Sequence, residues 1–179
     1  NRAVMGYYQD AINWGLQNNA TPAMNDIRTL HDKAGWGLAM EQMITPDIGM
    51  FARWSRSDGR TETYAFADID QSFSTGVTLG GALWGRSNDA FGVAYARNGL
   101  SKVHQQYLAL GGVGFFVGDG QLPHYGHEQI VETYYRFGLP KVRGVDSAFS
   151  LGWQHIRNPG YNADRGPVNT LALRLHTEF

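Results

Sequence analysis

Two groups of residues have types and spacing that could support chemistry, but neither makes a convincing active site. Glu128 and Glu132 lie four residues apart on one predicted strand, so they are about 13 Å apart, beyond the roughly 5–9.5 Å of a glycosidase carboxylate pair. Asp119, His124 and His127 could bind a metal ion, but their spacing is more typical of solvated loop residues. We therefore predict no catalytic residues, no metal site and no cofactor, and hence a protein that is not an enzyme.

The composition of the 179 residues narrows the class of protein. The 15 Lys and Arg are scattered among 16 Asp and Glu, which argues against a nucleic-acid partner because such proteins carry a basic stripe. The absence of cysteine excludes a disulfide framework and a cysteine-based zinc site. The mean hydropathy of -0.36 resembles that of soluble proteins, but a membrane β-barrel alternates polar and apolar residues and averages to the same value. No run approaches the roughly 18 apolar residues of a membrane-spanning helix.

Apolar and polar residues alternate with a period of two through most of the chain, which indicates strands. In the last segment, Leu171, Leu173 and Leu175 alternate with polar or small residues as far as the terminal Phe179. The same alternation predicts six earlier strands, at 37–41, 48–55, 73–80, 91–96, 128–139 and 149–154, and a weaker eighth at 2–9. We therefore predict about eight strands of roughly 9–12 residues, the length at which a tilted strand crosses a bilayer.

Short and long connections alternate between these strands. The short turns fall at 45–47, 86–89 and 140–144, and the long segments fall near 10–34, 57–71, 98–126 and 158–167. Short turns on one rim and long loops on the other are typical of outer-membrane barrels. We predict an all-β fold, a transmembrane antiparallel up-and-down β-barrel. A soluble barrel with its apolar side inward is the alternative.

The residues on the two faces of the strands favour the membrane-spanning alternative. One face mixes small residues with charged ones, as expected of a water-filled lumen. Its charged residues are Glu41, Arg53, Glu128, Glu132, Arg136 and Arg174. The opposite face is apolar, with aromatic residues near strand ends, where rings form girdles at the lipid headgroups. Arg97 and His155 interrupt this apolar face, and we expect both to snorkel to the headgroup level.

The last third of the chain resembles a known family, in the stretches LGGVGFFVGDGQL, GHEQIVETYYRF and WQHIRNPGYNADRGPVNTLALRLHTEF. These stretches are similar to the carbohydrate-selective porins of the OprB type, which are outer-membrane channels of Gram-negative bacteria. GWGLAMEQMITPDIGMFARWSRSDG and GVTLGGALWGRSNDAFGVAYARNGLS resemble earlier strands of the same family. The resemblance is most specific at 158–162 and 165–167. The end of the chain on Phe179 also resembles the signal that the bacterial barrel-assembly machinery reads.

The resemblance implies a function and a problem of length. Family members are barrels of about sixteen strands, so residues 1–179 are expected to be one outer-membrane barrel domain, the C-terminal half of a larger porin. The implied function is passive, carbohydrate-selective diffusion of sugars into the periplasm, with sugars as permeants. The candidate partners are outer-membrane lipid and, in a homo-oligomer, further copies of the chain. The alternative is a small closed eight-stranded barrel with a structural or interaction role and no conduction, because side chains nearly fill a barrel of that size.

For sugar transport, the resemblance makes the polar face the candidate lumen wall. Its charged side chains would orient sugar hydroxyls, and three aromatic residues expected on the same face would offer stacking surfaces. The charged candidates are the six residues of the polar face, Glu41, Arg53, Glu128, Glu132, Arg136 and Arg174, and the aromatic ones are Phe51, Trp84 and Tyr134. The alternative is that the charges pair across strands and only solvate the wall. The segment 98–126 could fold into the pore as a constriction or cover its mouth.

Overall fold

A sheet of seven antiparallel strands forms most of the molecule. The computed structural model describes residues 2–63, 68–114, 122–140 and 144–178. The strands are β1 (Arg2–Met5), β2 (Thr29–Asp32), β3 (Gly35–Thr45), β4 (Ile48–Ser57), β5 (Gln71–Gly80), β6 (Ala90–Gly99), β7 (Glu128–Gly138), β8 (Asp146–Arg157) and β9 (Val168–Glu178). The helices are α1 (Tyr8–Gln17) and α2 (Lys102–Ala109), with short 3-10 helices at Gly81–Trp84 and Pro159–Tyr161.

Strands β3 to β9 lie in sequence order, and each pairs antiparallel with the next. This confirms the predicted up-and-down topology. The wall strands have 10 to 12 residues, enough for a tilted strand to cross the hydrocarbon core. Within the described residues the sheet is not closed, and β3 and β9 are its edges.

The strand predicted at 2–9 is present only at Arg2–Met5, and it is not an eighth strand of this sheet. β1 is four residues long and pairs with β2 in a separate two-stranded sheet, and α1 begins at Tyr8. The buried residues of α1 are Tyr8, Ala11, Ile12 and Gly15, whose spacing places them on one face of a helix. Over so short a segment the helical pattern competes with the alternating one, and burial favours the helix.

Alternation gives the sheet two chemically different faces. On one face the register brings Leu151 opposite Leu173 and Phe149 opposite Leu175. Leu173 is 70% exposed and Leu151 is 45% exposed, as expected where lipid covers the wall. We call this side the apolar face. The opposite side, which carries Arg136, is the polar face.

The buried apolar core lies at the long-loop rim and not beneath the sheet. Helices α1 and α2 contact each other there. The core consists of Tyr8, Ala11, Ile12, Met24, Leu100, Tyr107, Leu108, Leu122 and Tyr161. Short connections join β3 to β4, β5 to β6 and β7 to β8 at the other rim, which agrees with the predicted division of loop lengths. No helix in the described part of the chain is long and apolar enough to span a membrane.

Candidate lumen-facing site

Eight of the nine residues predicted to line a lumen lie on the polar face. The register aligns Glu41 with Phe51 and continues across β5 and β6 to Glu132. Tyr134 and Arg136 follow at two-residue steps along β7, so their side chains share this face. The full set is Glu41, Phe51, Arg53, Glu128, Glu132, Tyr134, Arg136 and Arg174.

Trp84 is the exception, and the prediction that it lies on the polar face is wrong. Strand β5 ends at Gly80, and Trp84 belongs to the 3-10 helix of the following turn. The Trp84 indole Nε1 donates to the hydroxyl of Tyr135 at 2.8 Å, and Tyr135 pairs with Phe91 on the apolar face. The period of two does not continue into a 3-10 helix, which has three residues per turn. Trp84 therefore packs at the short-turn rim, on the side where an aromatic girdle is expected.

A hollow of about 530 Å³ lies on the polar face of β7, β8 and β9. The residues that line it are Glu132, Tyr134, Arg136, Ser150, Gly152, Ala172, Arg174 and His176. Arg136, Ser150 and Arg174 form one cross-strand row, so the Cα atoms of the two arginines are about 10 Å apart. Small residues between two long cations leave space that a polar solute can occupy.

The side chains around this hollow keep much of their hydrogen-bonding capacity. Arg136 Nη1 donates to the backbone oxygen of Asn88 at 3.1 Å, and Glu132 accepts from Gln154 Nε2 at 3.2 Å. The Arg174 guanidinium has no hydrogen bond or ion pair with any residue that the structure describes. Because a guanidinium has five N–H donors, both arginines can donate to a solute in the hollow.

The aromatic rings of the polar face lie over glycines of neighbouring strands. A Cβ atom added at Gly92 would lie 2.3 Å from Tyr134 Cε1, and one added at Gly76 would lie 2.5 Å from Phe51 Cε1. Both distances are too short for any real side chain, so only glycine permits the rings to cover the adjacent backbone. Each ring thus offers a flat apolar surface and takes little depth from the lumen.

Glu41 and Arg53 form an ion pair next to Phe51. Arg53 Nη2 donates to Glu41 Oε1 at 2.5 Å, and the guanidinium carbon lies 5.3 Å from the Phe51 ring centroid. The Glu41 side chain is 67% exposed and the Arg53 side chain is 59% exposed. An exposed pair is worth at most about 1 kcal/mol, so its partners can exchange each other for a solute at little cost. A second hollow, of about 570 Å³, lies beside Glu41 and Phe51.

Glu128 lies on the polar face, and each of its carboxylate oxygens accepts a hydrogen bond from another protein group. Its Oε1 accepts from Asn98 Nδ2 at 3.1 Å, and its Oε2 accepts from the backbone N–H of Gly160 at 3.0 Å. Asn98 Oδ1 in turn accepts from the Ser72 hydroxyl at 2.8 Å. Glu128 therefore fastens the loop that joins β8 to β9 onto the upper end of the wall, which is a positioning role.

A buried polar cluster that the sequence does not predict lies at the long-loop rim. Asp70 Oδ2 accepts from the backbone N–H of Ser101 at 2.8 Å and lies 2.9 Å from His104 Nδ1. His104 is fully buried and stacks on Tyr8, with the ring centroids 4.1 Å apart. Burial opposes ionisation of Asp70, but the contacts with His104 and Ser101 outweigh it and lower the pKa of this carboxyl. The members come from separate segments, so no local pattern reveals the cluster.

A second carboxylate organises the short-turn rim. Asp89 accepts from Arg86 Nε, from the Tyr135 hydroxyl at 2.6 Å and from the backbone N–H of Gly138 at 3.0 Å. The hydrogen bonds from Arg86 and Tyr135 lower the pKa of Asp89 to about 2. Asp89 is therefore ionised at neutral pH and joins the turn between β5 and β6 to the end of β7.

Of the three loop residues considered above as metal ligands, the structure describes His124 and His127, and these two have separate partners. His124 Nδ1 lies 2.8 Å from Asp164 Oδ2, whereas His127 packs edge-on against Tyr125. Asp119 lies outside the described residues, as does the rest of 115–121 within the segment 98–126. Among the residues that the structure does describe, no three metal-ligating side chains converge.

Known proteins resemble this chain in both sequence and fold. The model of the carbohydrate-selective porin OprB family matches residues 2–179. Among solved structures, that of Pseudomonas putida OprB at high pH superposes with a TM-score of 0.69 and 21% sequence identity. The superposition covers 97% of this chain and 41% of that one, so the chain spans less than half the length of the solved porin. No curated protein sequence matches significantly.

The family match and the barrel fold together explain the two faces of the wall. The apolar face is the lipid-facing side of an outer-membrane β-barrel, and the polar face is the side that lines its interior. The matching family is one of carbohydrate-selective porins, which agrees with the expectation of a porin fold. The chain belongs to the OprB family of carbohydrate-selective porins.

Proposed function

We propose that this chain forms part of the wall of an outer-membrane pore through which sugars diffuse passively into the periplasm. The observation that carries the proposal is the hollow between Arg136 and Arg174, two cations about 10 Å apart over a floor of small residues. The Arg174 guanidinium has no hydrogen bond or ion pair with a described residue, so its donors are available to hydroxyl groups. The proposed substrates are neutral monosaccharides or short oligosaccharides.

The wall supports passage because each of its contacts is weak and replaceable. A permeant must be bound well enough to enter and loosely enough to leave. The Glu41–Arg53 pair is largely exposed, and Glu132 has one amide partner, so sugar hydroxyls can replace these partners one at a time. The Phe51 and Tyr134 rings supply apolar surfaces on which the face of a sugar ring can slide. Glu128 is left out of the proposed contact set because each of its two oxygens already accepts a hydrogen bond from the protein.

We also propose that the chain is one barrel domain that closes with further strands. The edge strands β3 and β9 each have one neighbour among the described residues, and an open edge in a bilayer leaves backbone groups unsatisfied. The sheet has seven strands and the segment before it contains a helix. These features support a larger barrel over a closed eight-stranded barrel without conduction. Recognition of the strand ending at Phe179 by the barrel-assembly machinery, and self-association of the porin, belong to the same proposal; Phe179 lies outside the described residues.

Flux measurements on the full-length porin that contains this chain test the proposed function. In liposomes, Arg136→Ala with Arg174→Ala should change the rate of sugar entry several-fold and alter the single-channel conductance. The matched control is Arg157→Ala, which removes one arginine from the apolar face and should leave sugar flux unchanged. If the double variant transports every sugar tested at the wild-type rate, the two arginines are wall filler and the proposed contact set is wrong.

A further inference from the structure

A group of cations interrupts the apolar face near the long-loop rim. Arg56 and Arg97 both point to this face, on the strands that flank β5. Between them on β5 lie Gln71, opposite Arg56, and Phe73, opposite Arg97. The two arginines are therefore two strands apart and offset by two residues along the strands, which places their Cα atoms about 12 Å apart. Arg157 continues the group two strands beyond Arg97.

The arginines of this group have no carboxylate partner among the described residues, unlike the ion-paired arginines elsewhere in the molecule. Arg28 and Arg86 each have an ion-pair partner, Glu62 and Asp89. The guanidinium groups of Arg56, Arg97 and Arg157 form no hydrogen bond or ion pair with the residues that the structure describes, and all three side chains are exposed. Unpaired cations on a lipid-facing wall are costly unless the surroundings supply the counter-charge.

A small notch beside Arg97 adds shape to this charge. The notch has a volume of about 150 Å³, and its lining includes Trp54, Gln71, Phe73, Arg97 and His127. Its depth depends on Gly99, because a Cβ atom added there would lie 2.7 Å from Gln71 Nε2 and 3.0 Å from His127 Cδ2. The lining of the notch thus combines one guanidinium, two amides (Gln71 and Asn98) and one imidazole with two aromatic rings. We call Trp54, Arg56, Gln71, Phe73, Arg97 and His127 the arginine patch.

We infer that the arginine patch binds the phosphorylated headgroup of a membrane lipid in the leaflet at the long-loop rim. Arginine binds phosphate through paired N–H donors, and clusters of basic residues next to a membrane-spanning segment recognise anionic headgroups. Trp54 and Phe73 lie in one cross-strand row with Arg97 and are two residues farther from the long-loop rim than the row of Arg56. On a lipid-facing wall, such aromatic rings pack against lipid. The lipid-facing position favours this occupant over a soluble anion, and the inference does not depend on what passes through the lumen.

The test uses the full-length porin that contains this chain, purified in a non-ionic detergent. Native mass spectrometry would follow its titration with lipid A, a glycolipid with two phosphates, and with the same lipid after removal of both phosphates. Wild-type protein should retain lipid A and release the dephosphorylated form. Arg56→Gln with Arg97→Gln should weaken lipid A binding about thirty-fold, and Arg97→Gln alone about five-fold, if each arginine contributes as basic residues at membrane surfaces do.

The controls separate this inference from a general charge effect and from the proposed transport. Arg174→Gln removes the same charge from the polar face and should leave lipid A binding unchanged. Arg97→Lys keeps the charge and should restore most of the binding. Unchanged sugar flux and heat-modifiable gel migration would show that the double variant is folded. If it fails to fold, the Arg97→Gln and Arg97→Lys variants are compared alone.

Three results would overturn the inference. The first is equal lipid A binding by the wild type and by the folded arginine-to-glutamine variant. The second is an equal loss of binding in Arg174→Gln, which would indicate a nonspecific effect of net charge. The third is displacement of lipid A by millimolar inorganic phosphate, which would identify a site for free anions and not for a lipid headgroup.

Discussion

The two faces of the wall follow the same alternation but obey opposite rules. On the apolar face, large side chains remain exposed, as Leu173 is by 70%, since lipid takes the place of a core. On the polar face, aromatic rings lie over glycines, and charged side chains either pair with polar groups or face the lumen. The same substitution should therefore have different effects at adjacent residues of one strand, and the difference is set by the surrounding solvent and not by the backbone.

The largest expected effect comes from placing a charge on each face of β9. Leu173→Arg should destabilise the inserted barrel by about 2–4 kcal/mol because it puts a guanidinium in the hydrocarbon. Ala172→Arg makes the same change one residue earlier, on the polar face, and should insert normally. Heat-modifiable gel migration and outer-membrane abundance of both variants measure this. Equal insertion of the two would contradict the assignment of the faces.

A smaller effect is expected where the polar face depends on glycine. Gly92→Ala should cost about 1–3 kcal/mol through overpacking against the Tyr134 ring. Gly152→Ala is the matched control, because its added Cβ would be no closer than 3.8 Å to a neighbour. Thermal unfolding in detergent measures both. A loss at Gly152 as large as at Gly92 would mean that strand flexibility, and not the ring, explains the glycines.

The loops above the polar face should respond to the loss of one buried carboxylate. Asp70→Asn replaces the carboxylate that faces Ser101 and His104 with a neutral amide, whose oxygen is a weaker acceptor. It should destabilise the loop cluster locally by about 1–3 kcal/mol. The folded pKa of Asp70 is lowered, so its contribution is fully present above the ordinary value of about 3.9 and disappears as the pH falls below it. Hydrogen exchange of the α2 amides, corrected for intrinsic rates, should show this pH dependence in the wild type and lose it in Asp70→Asn.

The smallest effect on stability is expected at the exposed ion pair of the polar face. Arg53→Gln should change the free energy of unfolding by less than about 1 kcal/mol, because both partners are largely solvated. Its conductance should nevertheless shift, since a charge is lost from the lumen. A stability loss above 2 kcal/mol would show that the pair is structural, and the polar face would then follow the packing rules of a buried core.

The accuracy of the sequence-based predictions depended on the type of interaction. Alternation placed eight of the nine wall residues, since a period of two is a local property of a strand. Alternation does not predict the position of Trp84, which belongs to a 3-10 helix after the end of β5. At 2–9 it predicts the strand at Arg2–Met5 but not the helix that begins at Tyr8. The Asp70 cluster and the partners of Glu128 join residues 26 to 34 positions apart, so only the folded chain brings them together.

The hydrogen bonds around Glu128 act as a check on strand register. The hydrogen bonds from Ser72 through Asn98 and Glu128 to Gly160 join three strands and one loop, so they form only when β5, β6 and β7 are aligned. A slip of one residue in β7 would turn Glu128 towards lipid and move the apolar residues into the lumen. Such a misaligned sheet would lose these bonds at the end of the wall that is farthest from the short turns. The native register of β7 is thus stabilised at both ends of the strand, by the turn at one end and by the Glu128 carboxylate at the other.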